Sequence, residues 1–124
     1  MQDALIRGLT ESGIDVVRIG MGPSPMLYFS TFELDLGGGI QITGSHNPAD
    51  YNGFKMLLSG RSVFGAEIKE IGRRAAAGEW HSGDGQVSDE DVMDRYIDRL
   101  VSDFSGSGFR IGWDAGNGAA GPAL

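Results

Sequence analysis

"GGIQITGSHNPADYNGFKMLL", residues 38–58, sets two short apolar runs on either side of a polar, glycine- and proline-punctuated loop. GGIQIT (38–43) and GFKMLL (53–58) are each bounded by turn residues and read as strands. Between them lie Gly44, Ser45, His46, Asn47, Pro48, Asp50 and Asn52, and Lys55 sits just inside the returning strand. Gly, Ser, Asn, Pro and Asp are what loops contain, so one reading is plain turn chemistry. The other rests on density, because so many groups able to hold an oxyanion fall close together.

Working outward, residues 3–12 carry Ala4, Leu5 and Leu9 at helical spacing, and Gly13 follows where a helix end tolerates positive φ. "IDVVRIG" (14–20) is rich in β-branched residues and reads as a buried strand. In "GPSP" (22–25), Ser24 is expected to cap and Pro25 to open a helix running to about Leu36. Downstream, residues 66–77 form a helix with Ile68, Ile71 and Ala75 on one face, stopped by Gly78. "HSGDGQV" (81–87) reads as a polar linker, and Ser88 with Asp91 resembles a capping box. Val92, Met93, Tyr96, Ile97, Leu100, Val101 and Phe104 then make an apolar helical stripe. "SGSG" (105–108) is a flexible joint, and "FRIGW" (109–113) is expected to start a new strand. Helices alternating with short strands imply an α/β layer architecture. A final "GNGAAGPAL", where a helix is due, suggests a piece of a longer protein with a second α/β domain.

Composition limits the partners. The chain has 124 residues, 40% hydrophobic and 22% charged, which suits one modest folded domain. A net charge of −7 argues against nucleic acid and anionic membrane, both of which call for a basic face. The absence of cysteine removes disulfides and thiolate metal sites and suits a reducing cytoplasm. No apolar run is long enough to span a bilayer, and the first residues lack the pattern of a signal peptide. The 21 glycines cluster around 37–39, 106–108 and 112–121, which places turns and function in the loops.

Ser45 has three readings: hydrolase nucleophile, phosphate carrier or turn residue. A hydrolase elbow needs G-x-S-x-G, whereas Gly44 is adjacent to Ser45 and residue 47 is asparagine. It also needs a base, and the only other histidine is His81 in the linker. A phosphoserine gains nearly two negative charges and calls for amide donors, an ammonium and often a hard divalent cation. Gly44, neighbouring amides and Lys55 supply the first two. Asp84 is isolated, and "SDEDVMD" (88–94) is explained as the acid-enriched start of a helix.

"TGSHNPADYNGFK" (43–55) resembles the phosphoserine loop of the α-D-phosphohexomutases, and most of all their bacterial phosphomannomutase/phosphoglucomutase branch. "IDVVRIGMGPSPMLYF" is similar to the strand and turn upstream of that loop, and "GWDAGNGAAG" to the opening of the family's second domain. The resemblance implies a three-layer helix/sheet/helix domain with a mixed sheet, truncated at its N-terminus. Residues 1–104 would be that first domain, and 105–124 a linker and the first strand of the second. It further implies that Ser45 carries the transferable phosphoryl group and that its phosphate ligates Mg²⁺. Gly44, His46, Asn47 and Asn52 would shape the phosphate loop, with His46 counted among the catalytic residues. Lys55 would be the general acid or base. The implied substrates are hexose phosphates of mannose or glucose, with glucose 1,6-bisphosphate as phosphorylating activator. The remaining Mg²⁺ ligands and the sugar-selecting loop would lie in the parent enzyme's other domains, so the chain alone is expected to be inactive.

Two alternatives stand beside this. One is a non-catalytic α/β binding module whose serine loop is merely a turn. The other is a dinucleotide site, because "GNGAAG" (116–121) is a literal G-x-G-x-x-G, although glycines that let a strand turn tightly explain it as simply.

Overall fold

The structure is a computed structural model that describes residues 1–45, 47–48, 50–106 and 108–124. Its elements run α1 (Gln2–Glu11), β1 (Val16–Arg18), α2 (Ser24–Glu33), β2 (Gly38–Thr43), β3 (Gly53–Leu58), β4 (Arg61–Ser62), α3 (Ala66–Ala77), β5 (Val87–Asp89) and α4 (Met93–Val101), then a 3₁₀ turn at Gly121–Ala123. The fold is α/β with both kinds of pairing. β1 and β5 run parallel with Val16 opposite Val87, while β2, β3 and β4 form an antiparallel sheet.

Local chemistry sets these boundaries. Gly13 takes φ +81 after α1, and Ile14 N–H donates back to the Leu9 carbonyl, closing the helix end. The Pro25 ring presets the first turn of α2, which buries Met26, Leu27, Ser30 and Thr31. α2 lies on β2 and meets α4, where Val92 is fully buried and Tyr96 nearly so. Phe29 and Tyr96 rings stack at a tilt, 5.7 Å between centroids, and Ile19, Leu34, Met93 and Ala123 pack around this core. Packing of this kind, rather than propensity, is what holds short helices.

The structure departs from the sequence expectation in several places, and β1 is one of them: it spans only Val16–Arg18 and none of its residues is buried. α2 begins at Ser24 with Pro23 as its N-cap and ends at Glu33, short of Leu36, because Asp35 turns left-handed at φ 49. The polar linker ends in a strand: β1 offers an open edge, and Val87, Ser88 and Asp89 pair with it. Ser88 is therefore a strand residue and makes no capping box; Met93 N–H donates instead to Asp91 Oδ1 at 3.0 Å. Residues 109–113 form no strand, because among the described residues nothing pairs with them, and Phe109, Ile111 and Trp113 stay exposed. The α4 stripe is only half used, since Leu100, Val101 and Phe104 are also exposed.

A cleft of about 1050 Å³ separates the two sheets, lined by Leu5, Ile6 and Leu9 of α1 and by all of β1 and β2. Among the described residues β1 pairs only with β5 and β2 only with β3, so each presents an unpaired edge. No described helix is long and apolar enough to cross a membrane.

Candidate active site on the β2–β3 ribbon

β2 and β3 form the longest ladder in the molecule, from Gly38 opposite Leu58 to Thr43 opposite Gly53. The polar loop closes the end where Thr43 and Gly53 meet. Its backbone is held by short bonds: Ser45 N–H donates to Thr43 Oγ1 at 3.0 Å, Asn47 N–H to the Gly44 carbonyl at 3.0 Å, and Tyr51 N–H to the Pro48 carbonyl at 2.9 Å. At Gly44 the two limbs approach closely, since a Cβ there would lie 3.2 Å from the Tyr51 carbonyl oxygen.

Ser45 itself is exposed and takes φ 48. A residue with a Cβ pays roughly 1–2 kcal/mol for that left-handed conformation, which glycine adopts freely. The hydroxyl is thus displayed at a position where serine is conformationally costly, and such outliers cluster at functional sites. Asn47 and Asn52 are also exposed on this loop. His46 lies outside the described residues.

Lys55 stands on β3 opposite Gln41 of β2. Its ammonium donates to Ser24 Oγ at 3.0 Å, and no hydrogen bond joins it to Ser45 among the described residues. Gln41 reaches the same segment, with Nε2 donating to the Gly22 carbonyl at 3.0 Å, while its Oε1 is buried without a donor among the described residues. Ser24 was expected only as a helix cap. Nothing in sequence pattern links positions 24 and 55, and its one local signal is a hydroxyl between two prolines.

The arginines behave as surface clamps. Arg61 donates to both Glu67 oxygens, at 2.9 and 2.6 Å, and holds that carboxyl below its usual range. Arg73 and then Arg74 bond Glu70, pulling its pKa down to about 2. Trp80 and Trp113 are both largely exposed, whereas Phe29 belongs to the core.

Magnesium takes about six oxygens in octahedral geometry. Among the described residues no three of His, Cys, Asp or Glu converge, so these side chains do not by themselves fit the ion. GNGAAG follows residues 109–113, which among the described residues form no strand, so the strand that a dinucleotide turn places before its glycines is not seen here.

Comparison with known proteins agrees with the fold. The family profile described as "Phosphoglucomutase/phosphomannomutase, alpha/beta/alpha domain I" matches residues 1–82. A phosphoglucomutase of Neisseria gonorrhoeae is 40% identical over 124 residues, covering 98% of this chain and 27% of that protein. A phosphomannomutase of Salmonella typhimurium is 37% identical over 130 residues, covering 98% of this chain and 28% of its own length. Among solved structures, a phosphoglucomutase/phosphomannomutase family protein of Burkholderia thailandensis superposes with a TM-score of 0.75 at 36% identity, over 82% of this chain and 24% of that one. The chain therefore spans about a quarter of the length of the relatives it matches.

Proposed function

This chain belongs to the phosphoglucomutase/phosphomannomutase family, and from that premise we propose that it is the phosphoserine-bearing part of a cytoplasmic hexose-phosphate mutase, with residues 1–104 in the first domain and 105–124 leading into the second. The observation that carries the proposal is Ser45, held left-handed and exposed at the start of a loop that paired strands clamp on both sides.

In this reading phospho-Ser45 gives its phosphoryl group to a free hydroxyl of a hexose monophosphate. The P–O bond to Ser45 breaks, a P–O bond to the sugar forms, the sugar hydroxyl loses its proton and the serine oxygen regains one. The bisphosphorylated sugar then turns round, and Ser45 takes the phosphoryl group from the other position. Lys55 is the proposed proton carrier and counter-charge, and Gly44, His46, Asn47 and Asn52 shape the loop around the phosphate. Such transfers depend on positioning and charge neutralisation more than on covalent chemistry. The chain's own contribution to Mg²⁺ would be an oxygen of the phosphate on Ser45. A sugar bisphosphate such as glucose 1,6-bisphosphate would charge the serine initially.

Intact-mass measurement of the parent enzyme after incubation with glucose 1,6-bisphosphate tests this. One added phosphate that Ser45→Ala abolishes is expected; a wild-type protein that gains none overturns the reading and leaves a non-catalytic module. The 124-residue chain alone is expected to give no turnover of mannose 6-phosphate or glucose 6-phosphate, checked by coupled assay.

A further inference from the structure

We propose that Ser24 is a positioning residue for Lys55, holding its ammonium in one orientation beside the serine loop. This rests on the proposed role of Lys55 and adds to it a residue from a different element. Ser24 is the first residue of α2, Pro23 occupies the N-cap, and no side chain caps the helix. The Ser24 hydroxyl is thus not used where such hydroxyls ordinarily are. It accepts instead from Lys55 Nζ at 3.0 Å, across 31 positions of sequence.

Lysine has a flexible four-carbon stem, so an exposed ammonium wanders unless something anchors it. Among the described residues Lys55 makes no ion pair, and Ser24 Oγ is the anchor that is present. The anchor is itself fixed. Pro23 and Pro25 restrict the backbone on either side of Ser24, and Gln41, directly opposite Lys55, ties the same turn through the Gly22 carbonyl. Two bonds from one cross-strand pair therefore reach one stiff segment.

The choice of a hydroxyl has a chemical consequence. A carboxylate partner would neutralise the ammonium and compete with a phosphate for it. A hydroxyl orients the ammonium, leaves its charge whole, and keeps one hydrogen of its own to donate to an oxyanion.

Two measurements test this. In ¹⁵N-lysine-labelled chain, the Lys55 ammonium resonance, identified by its loss in Lys55→Gln, is followed in Ser24→Ala and Ser24→Thr. A drop in its order in Ser24→Ala, restored in Ser24→Thr with unchanged circular dichroism, is expected. An ammonium signal unmoved by Ser24→Ala, or moved equally by both variants, overturns the proposal. In the parent enzyme, Ser24→Ala is expected to slow phosphate uptake by Ser45 about tenfold, the low end for one hydrogen bond made by a charged group. Ser24→Thr should restore the rate, and Ser24→Ala should cost nothing further in a Lys55→Ala background. Equal losses in both backgrounds overturn the positioning role. If the wild-type enzyme takes up no phosphate, the mutase reading fails, while the ammonium signal still decides whether Ser24 orders Lys55.

Discussion

Two loops of this molecule contain the same kind of residues and are held in opposite ways. Residues 44–52 follow β2 and feed β3, so both limbs are fixed by a ladder and the backbone bonds inside the loop act on a closed frame. Residues 115–121 follow an unpaired run, and the turn rests on short-range bonds such as Gly116 N–H to Asp114 Oδ1 at 2.8 Å. Gly116 supplies the left-handed turn there at φ 55, whereas in the first loop a serine does so at φ 48. A glycine-rich motif thus takes its meaning from the strands that frame it. Where paired strands frame the loop, the costly conformation falls on the serine proposed to carry the phosphate.

The largest expected contrast between them is functional. Ser45→Ala in the parent enzyme should abolish phosphate incorporation from a sugar bisphosphate, while Asn117→Ala in the second loop should leave it unchanged by intact mass. Loss of phosphate in both would make the second loop part of the site and erase the distinction.

The next contrast is in stability. A Cβ at Gly38 would lie 2.6 Å from the Leu57 carbonyl oxygen on the paired strand, so Gly38→Ala must push β2 and β3 apart. Overpacking of this sort costs roughly 1–3 kcal/mol. A Cβ at Gly121 meets nothing within 4 Å, and Gly121→Ala should stay within about 0.5 kcal/mol of wild type. Urea midpoints of the two variants check this.

How much of this was legible in sequence follows the range of the interactions. β2, β3 and α3 appear where their residues place them, because local pattern and turn chemistry define each without outside help. Gly78, left-handed at φ 69, stops α3 for the reason its sequence suggests. β5 was hidden: Val87, Ser88 and Asp89 become a strand only because β1, some 70 residues earlier, offers an edge. Phe109–Trp113 shows the converse, β-prone residues that are irregular where, among the described residues, no strand pairs with them. At the candidate site, the loop was readable as one contiguous run, but the Lys55–Ser24 bond was not, since it depends on how α2 lies on the sheet.

A finer test separates the backbone of Ser45 from its hydroxyl. Both Ser45→Ala and Ser45→Gly remove the phosphate acceptor, yet only glycine relieves the left-handed φ of 48. Ser45→Gly should therefore be about 1 kcal/mol more stable than Ser45→Ala by thermal or urea unfolding. Equal stabilities would show that the loop relaxes to fit its residue, and the claim of a rigid frame would fall.

The smallest expected effect lies on α3 and its Arg61 contact from β4, away from both loops, and tests whether the β2–β3 ribbon opens independently of that helix. Arg73 and then Arg74 hold the Glu70 pKa at about 2, and Arg61 holds Glu67 low as well. A carboxylate whose folded pKa is depressed contributes stability that is complete above its unfolded value near 4.3. That contribution is lost as pH falls towards about 2. All these partners are exposed, so screening keeps the contribution small and salt should reduce it further. Amide exchange should report falling protection in α3 between about pH 4.3 and 2, flattened by Glu70→Gln with Glu67→Gln and by high salt. Protection in β2 and β3 should not follow it, because their ladder contains no ion pair among the described residues. If ribbon and helix lose protection together over that window, they open as one unit, and the rigidity assigned to the serine loop must be shared with α3.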